Sequence, residues 1–244
     1  MMMMKKTVTA VLLLAMLAAT GCASSDITVG TGSWDGEEGT TAEKSEAASE
    51  LTDVTTKVFT TSYGTTWVVG IATVKNTGDC DLYISDVGMD IEDASGSLVD
   101  TMSLPTATPK VISPSETAVL YGTAVVDAEG DYKVVPTFKA EETKIPNTRF
   151  AVSDVKVSED DFGTIEVIGR VENDMDEEQM MTVAAIFYAA DGSVVGMAST
   201  TSDSIAAGGK SSFKISTLGD ANNITLADVD HYDVIAYPWL QMQF

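Results

Sequence analysis

Few residues of this 244-residue chain have side chains suited to nucleophilic or acid–base chemistry. His231 is the single histidine, and no neighbouring serine has the spacing of an activated nucleophile. Cys80 lies between Asp79 and Asp81, whose negative charge disfavours a reactive thiolate. We therefore expect His231 to occupy a surface or turn position, and we predict that the chain is not an enzyme.

Carboxylates are abundant and could support two other kinds of chemistry. A glycosidase needs two of them facing each other across a cleft, but nearly all of the acidic residues here fall in turns or on the polar side of strands. Calcium is the sharper alternative, because it takes about six to eight oxygen ligands and acidic residues cluster in probable loops. The candidate ligands are Asp174, Asp176, Glu177 and Glu178. They do not match an EF-hand loop, zinc lacks a ligand set, and no cofactor is predicted.

Cys22 could carry a different chemistry. Lys5 and Lys6 precede a short apolar run over residues 8–19, which is typical of a secretory signal and too short for a membrane span. The run ends at Ala19-Thr20-Gly21-Cys22, which resembles the lipobox of bacterial lipoproteins. The resemblance implies that the Cys22 sulfur receives a diacylglyceryl group and becomes the new N-terminus, anchored at the extracytoplasmic face of the cell membrane. Ordinary signal cleavage beside an incidental thiol is the alternative.

The charge of the chain narrows the classes of partner. The sequence has 14 basic and 37 acidic residues, a formal net charge of -23. Nucleic acids are excluded as partners, because phosphate contacts need clustered Lys and Arg. The negative charge is spread along the chain, which favours solubility at a cell surface and permits binding of cations or basic partners. With two cysteines, one of them predicted to be lipidated, no internal disulfide is expected.

Composition divides the chain into a leader, a tether and a folded part. Residues 1–21 form the predicted signal peptide. Residues 22–56 are rich in Gly, Ser, Thr, Ala and Glu, so they hold too little apolar surface to offset the entropy of ordering. We expect them to form a flexible acidic tether, with the folded part beginning at Lys57.

From Lys57 onward the pattern is that of an all-β protein. Val87, Met89 and Ile91 alternate with acidic residues, as in a strand with one buried face. Short runs of this kind, separated by Gly, Asp, Asn and Pro turns, are typical of β-sandwiches. The other predicted strands span residues 67–75, 117–126, 132–138, 164–172, 182–188, 211–215 and 232–237.

An internal repeat divides the folded part in two. The matched segments, in the same order, are 72–76 with 169–173, 91–96 with 187–192, 112–116 with 205–209, and 131–136 with 231–235. Four landmarks in one order indicate duplication. We predict tandem β-sandwich domains over residues 57–143 and 144–244.

The second copy resembles a known family. Gly169-Arg170-Val171-Glu172-Asn173, Ala185-Ile186-Phe187-Tyr188 and the hairpin at Asp191-Gly192, followed by Gly208-Gly209 and Phe213, resemble the FxLYD-type module of bacterial surface proteins. The resemblance implies immunoglobulin-like sandwiches with a non-catalytic role. It covers residues 160–216 well and residues 68–122 weakly, since Ile91-Glu92 stands where the aromatic pair would be.

Three classes of function follow. The first is a lipid-anchored interaction or structural module whose partner is an envelope or extracellular protein. The second is a solute- or glycan-binding lipoprotein with an aromatic-lined pocket, for which the candidates are Trp67, Tyr83, Tyr237 and Trp239. The third is an enzyme of unfamiliar design. The first is favoured, because the chain has a predicted anchor, a tether and sandwiches but no catalytic constellation.

Overall fold

The fold is all-β and immunoglobulin-like, as predicted from the sequence. The computed structural model describes residues 46–127, 129–217 and 223–239. The predicted signal peptide, Cys22 and most of the predicted tether lie outside these ranges. Every strand pair is antiparallel.

The strands alternate with short turns throughout the described chain. Leu226–Asp228 forms one turn of 3-10 helix before the last strand. The strands are β1 (Ser49–Thr60), β2 (Thr66–Asn76), β3 (Leu82–Glu92), β4 (Leu98–Thr101), β5 (Thr106–Thr108), β6 (Val111–Ile112), β7 (Thr117–Val126), β8 (Lys133–Glu142), β9 (Ala151–Glu159), β10 (Ile165–Glu172), β11 (Met181–Tyr188), β12 (Val194–Thr201), β13 (Lys210–Ser216) and β14 (His231–Pro238).

Strands β1 to β8 form the first sandwich. One sheet has the order β1-β2-β7-β5, and in the other β3 pairs with β8 on one side and with β4 and β6 on the other. Alternate residues of β2 and β3, such as Val68, Val74 and Ile91, point into a shared apolar core. This core is the reason for the period of two in the sequence, because successive strand side chains point to opposite faces.

Strands β9 to β14 repeat the same architecture in the second sandwich. The sheet β13-β10-β9 faces the sheet β12-β11-β14 across a core that includes Val167, Phe187 and Phe213. In strand order, β9, β10, β11, β13 and β14 correspond to β1, β2, β3, β7 and β8. The landmarks matched in the sequence therefore occupy corresponding places in the two sandwiches.

A buried asparagine makes two corresponding hydrogen bonds in each sandwich. The Asn76 amide nitrogen donates to the carbonyls of Cys80 (2.8 Å) and Ile112 (3.0 Å). The Asn173 amide nitrogen donates to the carbonyls of Glu177 (2.8 Å) and Ile205 (2.8 Å). Both asparagines have 0 % exposure, and each joins the loop that follows its own strand to the segment before β7 or β13, through Ile112 of β6 or through Ile205. We call this end of each sandwich the asparagine end.

The predicted boundary between tether and sandwich is wrong by several residues. Ser49–Thr60 forms strand β1, which pairs with β2 from Ser49 opposite Asn76 to Thr60 opposite Thr66. Residues 49–56, assigned to the tether, therefore belong to the first sheet. The sequence concealed this strand because β1 is half exposed and a register shift between Leu51 and Asp53 breaks its alternation.

A third apolar cluster joins the two sandwiches. The outer face of β2 and β7 contributes Val69, Ile71 and Val119, which are at most 3 % exposed. These side chains pack against Ile186, Val194 and Met197 of the second sandwich. The four sheets therefore form a stack of layers in which the side chains of the middle interface are as buried as those of either core. The asparagine ends lie side by side, because Asn147 and Arg149 of the connecting segment bind the first sandwich there.

Candidate functional site

The acidic loop proposed for calcium lies at the asparagine end of the second sandwich. Asp174, Asp176, Glu177 and Glu178 are all exposed in the segment that follows β10. The side chain of the buried Asn173 holds the loop backbone in place, because it accepts from the Met175 backbone N–H and donates to the Glu177 carbonyl. In the described part of the chain, no three His, Cys, Asp or Glu side chains converge as a metal centre.

The four aromatic residues proposed for a solute pocket do not converge. Trp67 and Tyr83 lie half-buried on strands of different sheets in the first sandwich, whereas Trp239 is exposed beyond β14. Tyr237 alone lines a groove, between Pro109 and Arg149. The groove encloses about 10 Å³, which is about the room that one water molecule needs. A sugar ring does not fit there.

This groove is a polar part of the joint between the sandwiches. The Arg149 guanidinium donates to the Val111 carbonyl at 3.1 Å and to the Glu116 carboxylate at 3.4 Å. The Tyr237 hydroxyl donates to the Thr108 hydroxyl at 3.4 Å. Burial lowers the pKa of Arg149 and raises that of Tyr237, with the nearby Glu116 and Thr108 opposing the respective shifts. These contacts fix two neighbouring domains and leave little space for a ligand.

His231 lies at the exposed start of β14. Its ring stacks on Tyr188, with ring centroids 4.7 Å apart and planes 7° from parallel, and Nδ1 lies 3.2 Å from the Asp230 carboxylate. Burial, followed by the neighbouring Asp233, raises the pKa of Tyr188 to about 12. Ser193, in the turn between β11 and β12, donates to Asp191. His231 therefore has a stacking role on the sheet surface.

The structure describes Cys80 but not Cys22. Cys80 is half-buried, and its carbonyl accepts from Asn76. The flanking Asp79 carboxylate accepts from the Glu46 backbone N–H at 2.7 Å, so it fixes the start of the described chain at the asparagine end. Cys22 lies outside the described residues, so its lipidation stays a prediction. No helix in the described part is long and apolar enough to cross a membrane.

The opposite end of each sandwich is built from hairpins that share one turn. Each hairpin has a five-residue turn in which the first residue's N–H donates to the fifth residue's carbonyl, and the fourth residue's N–H donates to the first residue's carbonyl. The fourth residue is a glycine with φ between 79° and 83°. A positive φ favours glycine there. The four turns span residues 61–65, 93–97, 160–164 and 189–193. We call this the hairpin end.

Two of these turns carry an aromatic side chain that the sequence reasoning missed. Tyr63 is 90 % exposed and Phe162 is 91 % exposed, each directly before the turn glycine. Large apolar side chains exposed to this degree have no role in the sandwich cores. The signal was present as an aromatic-Gly pair inside a polar turn, Tyr63-Gly64 and Phe162-Gly163.

No protein-family model matches the chain, and no curated protein matches it with significant similarity. The resemblance to FxLYD-type modules therefore remains a prediction from the residues of the second copy.

Proposed function

We propose that this chain is a surface lipoprotein, anchored at the extracytoplasmic face of the cell membrane through Cys22, that acts as a non-catalytic interaction or structural module. Its partner would be another protein of the envelope or the extracellular space. The observation that carries the proposal is that the two ends of the sandwich pair differ. The described chain enters at the asparagine end, through Glu46 on Asp79, while the exposed aromatic turns lie at the opposite end.

The dry interface between the sandwiches supports a presenting role. Ile71 and Val69 of one sandwich and Ile186 of the other are at most 5 % exposed, so separating the domains would expose apolar surface on both. A linked pair that holds its shape can carry a surface away from an anchor without folding back on it.

The solute- or glycan-binding alternative lacks a supporting observation. It required an aromatic-lined pocket, and Trp67, Tyr83 and Trp239 do not line the groove that holds Tyr237. We therefore retain the interaction module as the single proposal.

Lipidation is the first test of the proposal. Cells that express the full chain are grown with radiolabelled palmitate, and the label is followed in the wild type, in Cys22→Ala and in Cys80→Ala. We expect the label in the wild type and in Cys80→Ala, and no label in Cys22→Ala, which should leave the membrane fraction. Equal labelling of Cys22→Ala and the wild type would contradict the anchor.

The exposed face is tested on intact cells with a membrane-impermeant amine reagent. Lys144 and Lys156 are exposed and should react without cell lysis, as should other surface lysines. Protection of the lysines until lysis would contradict the surface location, even if the palmitate label were present.

A further inference from the structure

The four turns of the hairpin end provide an internal comparison at one position. The third residue of the turn is Tyr63, Ser95, Phe162 or Asp191, and the glycine that follows has nearly the same φ in each case. The turn therefore accepts serine or aspartate there without changing its backbone. Neither the turn nor the core needs an aromatic ring at this position, so the rings of Tyr63 and Phe162 are available for contacts outside the fold.

We propose that Tyr63 and Phe162 form a docking surface for a basic protein segment, with each ring receiving an Arg or Lys side chain. A cation over an aromatic face is attracted by the ring, and both faces of these side chains are open to solvent. The inference rests on the proposed function, since it names the chemistry of the partner that the module would bind.

The charge around the two rings complements such a partner. Phe162 follows Asp160 and Asp161 in its own turn, and the neighbouring turns and strand ends add further carboxylates. These are Asp93, Asp127, Glu159, Asp191 and Asp230. Lys133 and His231 lie at the adjoining strand ends, and Lys214 of β13 pairs with Glu166 and acts on Asp160, but the carboxylates outnumber these basic residues, so negative charge predominates. A basic segment would be steered to this end and held near the rings.

Hydrogen bonds inside the turns keep several of these carboxylates ionised. Asp93 accepts from the Ser95 hydroxyl and backbone N–H and from the Ser97 N–H, and these bonds lower its pKa. Asp160 accepts from the backbone N–H groups of Thr164 and Phe162, with the same effect on its pKa. The surface therefore stays anionic even at mildly acidic pH.

The same charge disfavours the other occupants of an exposed aromatic surface. A second copy of this chain would bring its own acidic hairpin end, or another part of a chain with net charge -23, against these carboxylates. An anionic membrane surface would be repelled for the same reason. A basic polypeptide gains from both the rings and the carboxylates.

The spacing of the rings indicates what the segment must look like. The turn with Tyr63 belongs to the sheet β1-β2-β7-β5, and the turn with Phe162 belongs to the sheet β13-β10-β9. One sheet, β12-β11-β14, lies between them, so the layers alone separate the two turns by about two sheet spacings, or about 20 Å. An extended chain covers that distance in about six residues.

A synthetic peptide of this design is the probe. It carries an arginine pair at each end, separated by about six Gly and Ser residues, and a matched peptide has citrulline, the uncharged analogue, in place of arginine. The protein is the full-length chain with Cys22→Ala, labelled with nitrogen-15 glycine. The amide signals of Gly64 and Gly163 report on the aromatic turns, while those of Gly96 and Gly192 report on the polar turns.

We expect the arginine peptide to shift the Gly64 and Gly163 signals more than those of Gly96 and Gly192, and the citrulline peptide to shift none of them. The double variant Tyr63→Ser/Phe162→Ser, whose turns match the serine turn at residue 95, should bind the arginine peptide about tenfold more weakly. The control Leu104→Ser removes a side chain that is 90 % exposed outside the hairpin turns, and it should bind like the parent.

Equal affinity of the double variant and its parent would overturn the proposal, as would equal binding of the two peptides. So would aromatic-dependent binding to phosphatidylcholine vesicles, or aromatic-dependent dimerisation in sedimentation, each in the absence of arginine-peptide binding. Because the probe experiment uses unlipidated protein, its outcome is independent of palmitate labelling, which tests the anchor.

Discussion

The two sandwiches share a strand order but fill their cores differently. In the first, Gly70 of β2 lies opposite Gly122 of β7, and the side chains of Met89 and Met102 occupy the space above both glycines. In the second, the ring of Phe213 covers Gly169, which lies directly opposite it on β10. Small residues thus lie under large ones in both, at different positions. The same strand order is therefore reached with different core pairs.

The buried asparagines show which positions of β2 and β10 correspond. Counting back from Asn76 and Asn173, Ala72 opposite Leu120 holds the place that Gly169 opposite Phe213 holds in the second sandwich. Two amide hydrogen bonds of each asparagine correspond in the two copies, and Asn173 adds one to the Ala206 carbonyl, whereas the core pairs differ. Buried hydrogen bonds are directional, so few side chains can replace a buried asparagine. Apolar volume, in contrast, can be redistributed among neighbouring side chains.

The largest expected effect is on the asparagines. Asn173→Asp and Asn76→Asp replace the donor amide with a carboxylate, which repels the carbonyls that the amide binds and buries a charge. We expect each to lower the free energy of unfolding by about 3–5 kcal/mol, measured by urea denaturation of the full chain. Asn173→Asp should cost more, because its amide also donates to the Ala206 carbonyl at 3.2 Å.

The exposed neighbour of Asn173 provides a matched control. Asp174→Asn changes one charge in the same loop and should leave the free energy of unfolding nearly unchanged. If the two buried substitutions behaved like this control, the shared hydrogen bonds would not be what holds the asparagine ends.

A smaller effect is expected when one core pair is exchanged for the other. In Gly169→Ala the added Cβ would lie 2.6 Å from the Phe213 ring, so we expect a loss of about 1–3 kcal/mol. Adding Phe213→Leu recreates the Ala72 and Leu120 pair of the first sandwich and relieves that contact. The double variant should therefore lose less stability than the sum of the two single variants, as a double-mutant cycle in urea would measure.

Gly163→Ala is the control that distinguishes steric crowding by the added Cβ from backbone strain. An added Cβ at Gly163 meets no atom within 4 Å, but its φ of 79° strains a non-glycine residue. Its cost should be unaffected by Phe213→Leu. Additive losses for Gly169→Ala and Phe213→Leu would show that the paired volumes are not coupled.

The smallest effect on stability is expected in the turns. Asp93 is the first residue of one turn, and Ala189 is the first residue of the corresponding turn in the second sandwich. The pKa of Asp93 is lowered from its ordinary 3.8, first by the Ser95 hydroxyl, so its ionised form stabilises the folded state. That contribution is present above pH 3.8 and is lost as the pH falls through the lowered folded-state pKa. Asp93→Asn should therefore differ from the wild type in thermal unfolding at neutral pH and converge with it in acid. A difference that grows in acid would contradict the assignment.

Most strands were predictable because their alternation is regular. Among the strands that were missed, β1 and β9 contain an interruption, whereas β4, β5 and β6 are only two to four residues long. In β9, Val152 and Val155 are separated by an extra residue at the bulge where Asp154 takes a φ of 55°. In β3, which was predicted from Val87, Met89 and Ile91, an equivalent shift at Asp86, with a φ of 46°, breaks the alternation between Ile84 and Val87, so the pattern is regular only after the shift. A bulge changes which face the next side chain reaches, so the period of two fails at that point.

The hairpin turns show what could be read at the candidate surface. Asp191-Gly192 was recognised from its sequence, because the turn needs a glycine with positive φ. The exposure of Tyr63 and Phe162 was not, since an aromatic residue in a sandwich more often fills a core. Only the placement of the turns at the end of the sheets leaves these rings in solvent.

By itself, the sequence determined the all-β class, the repeat with its paired asparagines and the acidic character of the chain. Those properties follow from local periodicity, turn chemistry and composition, which act over a few residues. The tertiary structure alone decided that the outer faces around Ile71 and Ile186 are buried against each other, and that chain entry and aromatic turns lie at opposite ends. An apolar strand face reads the same whether a core or a neighbouring domain covers it, so contacts between distant segments had to settle the arrangement.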